Sequence, residues 1–400
     1  MDTTLRRNGI VALAIVTLFI VYGSTYPFNF VAPAHPAGPF QTLWQTWNAR
    51  PGRGDLIANI FFYLPFGFFA ARTFRANCNP AWAFVWALLA GAILSVGCEI
   101  LQYYVPGRAQ SADDVYANTF GTALGAALGL ILGRGFFSIW PRNFRDDPFP
   151  AVLLACWVGY RFFPYVPVID LHKYWDALKP VFDTGSLTAQ DVFLQTATWI
   201  LLATLFGAII GRRLALALFP VLVGFVVAAE VAITGLHTSL PEIAGAAPAF
   251  VMLLVLTQFS KHQQDVAIFG FLLAFVIVWR LTPFQFSGTP HAFSFVPFQS
   301  FIGGSPVINM KVFLEKCFYY GGLIWLLAEC GMSIGRAGIV IAPILLATSA
   351  AQAFLPERSA EITDAVMPLL IAYIVWLAKD DGAKQGRNIG TSLNPHATAE

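Results

Sequence analysis

The chain has 400 residues, 57% of them hydrophobic and only 12% charged, with a formal net charge of +2. A soluble globular fold carries roughly a quarter charged residues and could not hide this much apolar surface. Disorder is excluded by 37 Phe, 12 Tyr and 11 Trp, a disulfide scaffold by only 5 Cys, and a nucleic-acid partner by the near-neutral charge.

A helix needs about 20 apolar residues to cross the core of a bilayer. Windows of that size predict twelve spans, near 8–24, 56–73, 81–104, 113–134, 150–168, 192–210, 214–236, 242–258, 265–281, 312–330, 337–355 and 362–379. Val221–Val231 and Ile339–Ala351 lack the alternation of a barrel strand, so the spans are read as helices. Arg6 and Arg7 ahead of the first span mimic a signal peptide, but the span runs straight into Tyr22-Gly23-Ser24-Thr25-Tyr26-Pro27 with no Ala-x-Ala cut site at its end, which predicts an uncleaved anchor. Gly121, Gly125, Gly129 and Gly133 form a stripe of small residues along the fourth span that predicts close approach of two helix backbones. The five cysteines read as small buried thiols. No metal ligand set and no cofactor is read from the sequence. Basic residues set orientation, and 14 of the 24 fall on the side that carries both termini. The chain is therefore read as a multi-pass protein of the inner (plasma) membrane with cytoplasmic termini and a disordered tail over 381–400.

The spans repeat in fours. A Pro-aromatic pair closes the first helix of each set, at Pro27-Phe28, Pro164-Tyr165 and Pro283-Phe284. A polar residue opens the next helix 28, 27 and 28 positions later, at Asp55, Asp191 and Lys311, with Asn59, Gln195 and Glu315 four residues on. Gln102, Pro106, Arg108 and Asp114 recur with identical spacing as Gln352, Pro356, Arg358 and Asp364. In the second set Glu230 is aligned with Glu99, which leaves Ile233 and Ser239 at the Gln and Arg offsets. The predicted fold is an all-α polytopic membrane protein of about twelve transmembrane helices. They form three parallel four-helix repeats, over 1–148, 149–262 and 263–380.

The first repeat is richest in polar groups: Asp55, Asn59, Glu99, Gln102, Arg108, Asp113, Asp114 and Asn118. Asp55 and Asn59, Glu99 and Gln102, and Asp114 and Asn118 are spaced to share helix faces. Carboxylates inside a membrane helix are costly unless paired, and Arg108 is the natural forked partner for Glu99 or Asp114. Arg161 and Arg280, each three residues before a Pro-aromatic pair, and Glu230 are further candidates. Asp55-x-x-x-Asn59 ahead of Phe62-Tyr63-Leu64-Pro65-Phe66-Gly67-Phe68, then Glu99-x-x-Gln102, Arg108, Asp113-Asp114-Val115 and Asn118-Thr119-x-Gly121, resemble the VanZ-like family. The Pro39-Phe40 loop does too, and the resemblance covers about residues 26–135. It implies a small helical membrane module with an envelope role, in a family whose named member is associated with low-level teicoplanin resistance.

Two readings of the polar cluster stand side by side: an internal network that fixes helix packing, or a binding or catalytic site. The leading functional reading is a non-enzymatic envelope protein that binds a lipid-linked or anionic headgroup at the outer leaflet, with membrane lipids, including polyprenyl-linked ones, as partners. Alternatives are a lipid or small-molecule transporter or flippase, and a membrane enzyme acting on a lipid-linked sugar or phosphate. Oligomeric state is not read from the sequence.

Overall fold

The computed structural model describes residues 3–26, 28–31, 37–47, 53–106, 108–131, 147–302 and 305–392. Among the described residues the chain is all-helical, with isolated bridges Pro167–Ile233 and Ser294–Glu361 but no strand. All twelve predicted windows fall on helices. Four of these helices, Pro80–Gln102, Ala189–Ile210, Lys261–Leu281 and Ile334–Gln352, are long and apolar enough to cross a membrane. Shorter apolar helices include Phe149–Arg161, Phe219–Ala232 and Leu240–Leu256.

The chain divides into two compact units. The first is made of residues 1–139, 302–309 and 377–400, and the second of 140–301 and 310–376. The predicted second and third repeats thus lie largely within one unit.

In the first unit, α1 (Thr3–Thr25), α3 (Arg53–Phe74), α4 (Pro80–Gln102) and α5 (Ala112–Ile131) surround a core of Ile20, Tyr63, Phe66, Ala70, Ala87 and Ala126; the short α2 (Pro39–Gln45) precedes α3. Helix α4 starts where Pro80 fits the first turn and Asn79 accepts a hydrogen bond from Trp82 N at 2.9 Å. The glycine stripe packs α5 directly on α3. A Cβ at Gly121 would meet the carbonyl oxygen of Ile60, at Gly125 that of Leu64, and at Gly129 that of Phe68. Gly133 lies outside the described residues, as do Arg134, Arg142 and Arg145.

The second unit holds α6 (Phe149–Arg161), α7 (Leu171–Leu178), α8 (Ala189–Ile210), α9 (Arg212–Ala217), α10 (Phe219–Ala232), α11 (Leu240–Leu256), α12 (Lys261–Leu281), α13 (Gln299–Ile302), most of α14 (Pro306–Glu329), α15 (Ile334–Gln352) and the start of α16 (Thr363–Ser392). Trp199, Phe275, Phe318 and Tyr320 are its largest fully buried side chains besides leucines and isoleucines. Helix α6 stops at Arg161 and not at the predicted 168, because the residue before Pro164 disfavours helical backbone. The window 214–236 splits into α9 and α10 at Leu218, where Pro220 suits the first turn of a new helix. Helix α16 runs to Ser392, into the tail predicted to be disordered. Residues 393–400 lie outside the described residues.

Candidate functional sites: three buried polar clusters

In the first unit the end of α4 meets the loop into α5. Glu99 is buried, and its carboxylate accepts a hydrogen bond from Ser111 N at 2.9 Å while its carbonyl accepts one from Gln110 Nε2 at 2.8 Å. Asn118 Nδ2 donates to Ser95 Oγ at 2.9 Å. Tyr63 faces Ser95, Cys98 and Glu99. Among the described residues, the buried Tyr63 Oη, Asn118 Oδ1, Gln110 Oε1 and Asp113 Oδ2 have no hydrogen-bond partner. Arg108 lies within the field of Glu99, as does Asp114. Its guanidinium, expected to fork onto a carboxylate, donates instead to the carbonyl of Gly23 at 3.2 Å. That carbonyl belongs to the last turn of α1, where backbone acceptors are left open and attract a cation. Asn59 and Gln102 are half-buried at the ends of α3 and α4, and the side chain of Asp55 lies outside the described residues.

In the second unit Arg161, at the end of α6, is paired with two carboxylates, Glu230 of α10 and Glu242 of α11. Thr238 Oγ1 donates to Glu230 Oε2 at 3.0 Å, and Trp199 Nε1 donates to the carbonyl of Glu242 at 2.9 Å. Lys173 Nζ donates to the carbonyls of Glu230 and Val231 at 2.8 and 2.5 Å, closing the C-terminus of α10.

Arg280, at the end of α12, is 3% exposed and all its donors are engaged by side chains. Nε bonds Thr348 Oγ1 at 2.6 Å, Nη1 bonds Tyr320 Oη at 2.6 Å, and Nη2 bonds Ser349 Oγ and Gln352 Oε1 at 2.7 and 2.9 Å. Nη1 also forms an ion pair with Asp364 Oδ2 at 2.7 Å, while Lys316 Nζ pairs with Oδ1 at 2.8 Å. Two cations therefore share one carboxylate. Arg358 donates to the carbonyls of Thr282 and Trp279 at 2.9 and 3.3 Å. A cavity of about 300 Å³ beside it is lined by His291, Gln299, Ser300, Arg358 and Glu361 among others. Glu361 accepts a hydrogen bond from Ser300 Oγ at 2.6 Å, and His291 Nε2 lies 3.0 Å from the carbonyl of Gln352. Glu315, on α14, lies in the combined field of Arg161, Lys316, Lys311 and Arg358.

Residues 10–133 match the VanZ/LLP1 family model. That stretch is a VanZ-like module, and together with the apolar helices it indicates a membrane protein. No curated protein and no solved structure matches the chain.

The hydrogen bonds correct the alignment of Glu230. In the VanZ-like module Val31 N, four residues past Pro27, donates to the carbonyl of Tyr104, two past Gln102. Ser287 N, four past Pro283, donates to Phe354, two past Gln352, and Val168 N, four past Pro164, donates to Ala232, two past Glu230. Glu230 thus occupies the place of Gln102 and Gln352, not that of Glu99. Twelve residues on from each stand Asp114, Glu242 and Asp364. The three-residue slip hid Glu242 from the sequence reading. Lys316, Tyr320, Thr348 and Ser349 were missed as well; their only sequence signal is polarity within apolar helices.

Proposed function

We propose that the chain is a cell-envelope protein of about twelve membrane-crossing helices in three parallel four-helix units, both termini cytoplasmic. In this reading the Arg280–Lys316–Asp364 cluster binds the anionic headgroup of a lipid or lipid-linked molecule at the outer leaflet. The repeat plan is supported by a common backbone at the three Pro-aromatic pairs, where Phe28, Tyr165 and Phe284 have φ of 63°, 60° and 60°. The donation of Arg108 and Arg358 to carbonyls four residues before Pro27 and Pro283 supports it too.

One observation carries the headgroup reading: the buried Arg280 and the partly buried Lys316, 12% exposed, share the single carboxylate of Asp364. A buried surplus charge costs several kcal/mol, roughly the effective penalty for one ion taken out of water. An anion recovers that cost. His291 and Gln352 connect the cluster to the cavity beside Arg358. In the VanZ-like module such binding would be the basis of an envelope phenotype, including glycopeptide resistance. A lipid transporter is the second reading, favoured by the parallel repeats.

Ligand that binds only the folded state raises its stability. Thermal unfolding of the purified chain in neutral detergent should shift upward with phosphatidylglycerol and not with phosphatidylcholine, and Lys316→Gln should abolish the difference. Equal responses of the wild-type protein to both lipids would contradict the proposal. Movement of labelled lipid across liposomes separates the transporter reading from simple binding.

A further inference from the structure

The two ion-pair clusters of the second unit differ in the acid count at the arginine. Arg280 meets a neutral amide, Gln352, and a carboxylate, Asp364. At Arg161 the corresponding places are held by Glu230 and Glu242, and both carboxylates reach the same nitrogen, Nη2. Glu230 is 1% exposed and Glu242 4%. With both ionised, two buried negative charges would converge on one guanidinium. Carboxylates sharing a site resist double ionisation.

The neighbours on the packed elements add one further acid and one further cation to this group. Helix α6 adds Tyr160 beside Arg161, and α14 adds Tyr319 and a third acid, Glu315. Lys173 of α7 is the other cation near Glu230, and its ammonium is held by backbone carbonyls at the end of α10. His172 and His237 lie in the field of Asp176. Thr238 offers a hydroxyl that can donate to a carboxylate or accept from a carboxylic acid.

We propose that Glu230 and Glu242 hold one proton between them, so that the Arg161 cluster is a proton-binding site. The proton comes from bulk water, an O–H bond forms on one carboxyl oxygen, and the site becomes neutral. Water reaches the cluster because the Arg161 side chain is 29% exposed. A protonated Glu230 copies Gln352, with a carbonyl oxygen for the guanidinium and a donor on the other atom. The proposal does not depend on a ligand at Arg280.

Infrared spectroscopy of the full chain in lipid nanodiscs tests it. Near neutral pH the wild-type protein should show the carbonyl band of a neutral carboxylic acid, shifted when glutamate is isotope-labelled. Glu230→Gln and Glu242→Gln should each remove the same component of the band, because the remaining carboxylate then faces Arg161 alone and ionises; changing the separately placed Glu99 or Glu315 to Gln should leave that component. The proposal is overturned by a wild-type spectrum without the band, by a band that ignores glutamate labelling, or by one undiminished in Glu230→Gln or Glu242→Gln. An absent or label-insensitive band needs no substitution, so it overturns the proposal even where a variant does not fold.

Discussion

Asp364 and Lys316 have opposite consequences for the stability of the second unit. Asp364→Ala removes the carboxylate that pairs with both Arg280 and Lys316 and leaves the buried guanidinium without an ion-pair partner among the described residues. Breaking a buried pair this way costs about 3–5 kcal/mol, which thermal unfolding in neutral detergent should register as a large fall in melting temperature. Lys316→Gln leaves the Arg280–Asp364 pair balanced and should cost nothing or stabilise. If both substitutions destabilise equally, the charge surplus is not there. Arg108→Ala should be milder, a loss of about 1 kcal/mol for one hydrogen bond to Gly23, with Arg358→Ala similar. Gln352, Arg358 and Asp364 could be found from sequence because their spacing repeats that of Gln102, Arg108 and Asp114. Glu242 could not. Glu99 and Gln102 lie three residues apart on one helical face, so either could be the counterpart of Glu230 until the bonds past Pro27, Pro164 and Pro283 fixed the register.

At the scale of elements, the helices were legible because each apolar run is bounded by a cap or a proline, such as Asn79-Pro80 for α4 and Ser260 with Gln263 for α12. What windows of hydropathy could not show is where a proline interrupts a run, as Pro220 does just after Leu218 between α9 and α10. The glycine stripe was legible as a packing face, and the contacts identify its partner as α3. Gly125→Ala drives a methyl into the carbonyl of Leu64 and should cost about 1–3 kcal/mol, the usual range for overpacking. Gly97→Ala, on α4, meets nothing within 4 Å and should stabilise by about 0.5–1 kcal/mol through helix propensity. Thermal unfolding of the two variants side by side checks the packing; equal effects would refute it.

For the whole molecule, the proposed orientation, with both termini cytoplasmic, puts Arg161, Arg280, Arg358 and Asp364 toward the outside. Ile169, which is 99% exposed in the loop after α6, and Gln258, exposed between α11 and α12, then lie on opposite sides of the membrane. In intact cells an impermeant thiol reagent should label Ile169→Cys and spare Gln258→Cys. The reverse pattern would turn the site to the cytosol. The most direct measurement is native mass spectrometry of the full chain released gently from its own membrane. The wild-type protein should carry a bound anionic lipid that Lys316→Gln lacks while keeping its fold. An identical lipid population on both proteins, or zwitterionic lipid alone, would contradict the headgroup site.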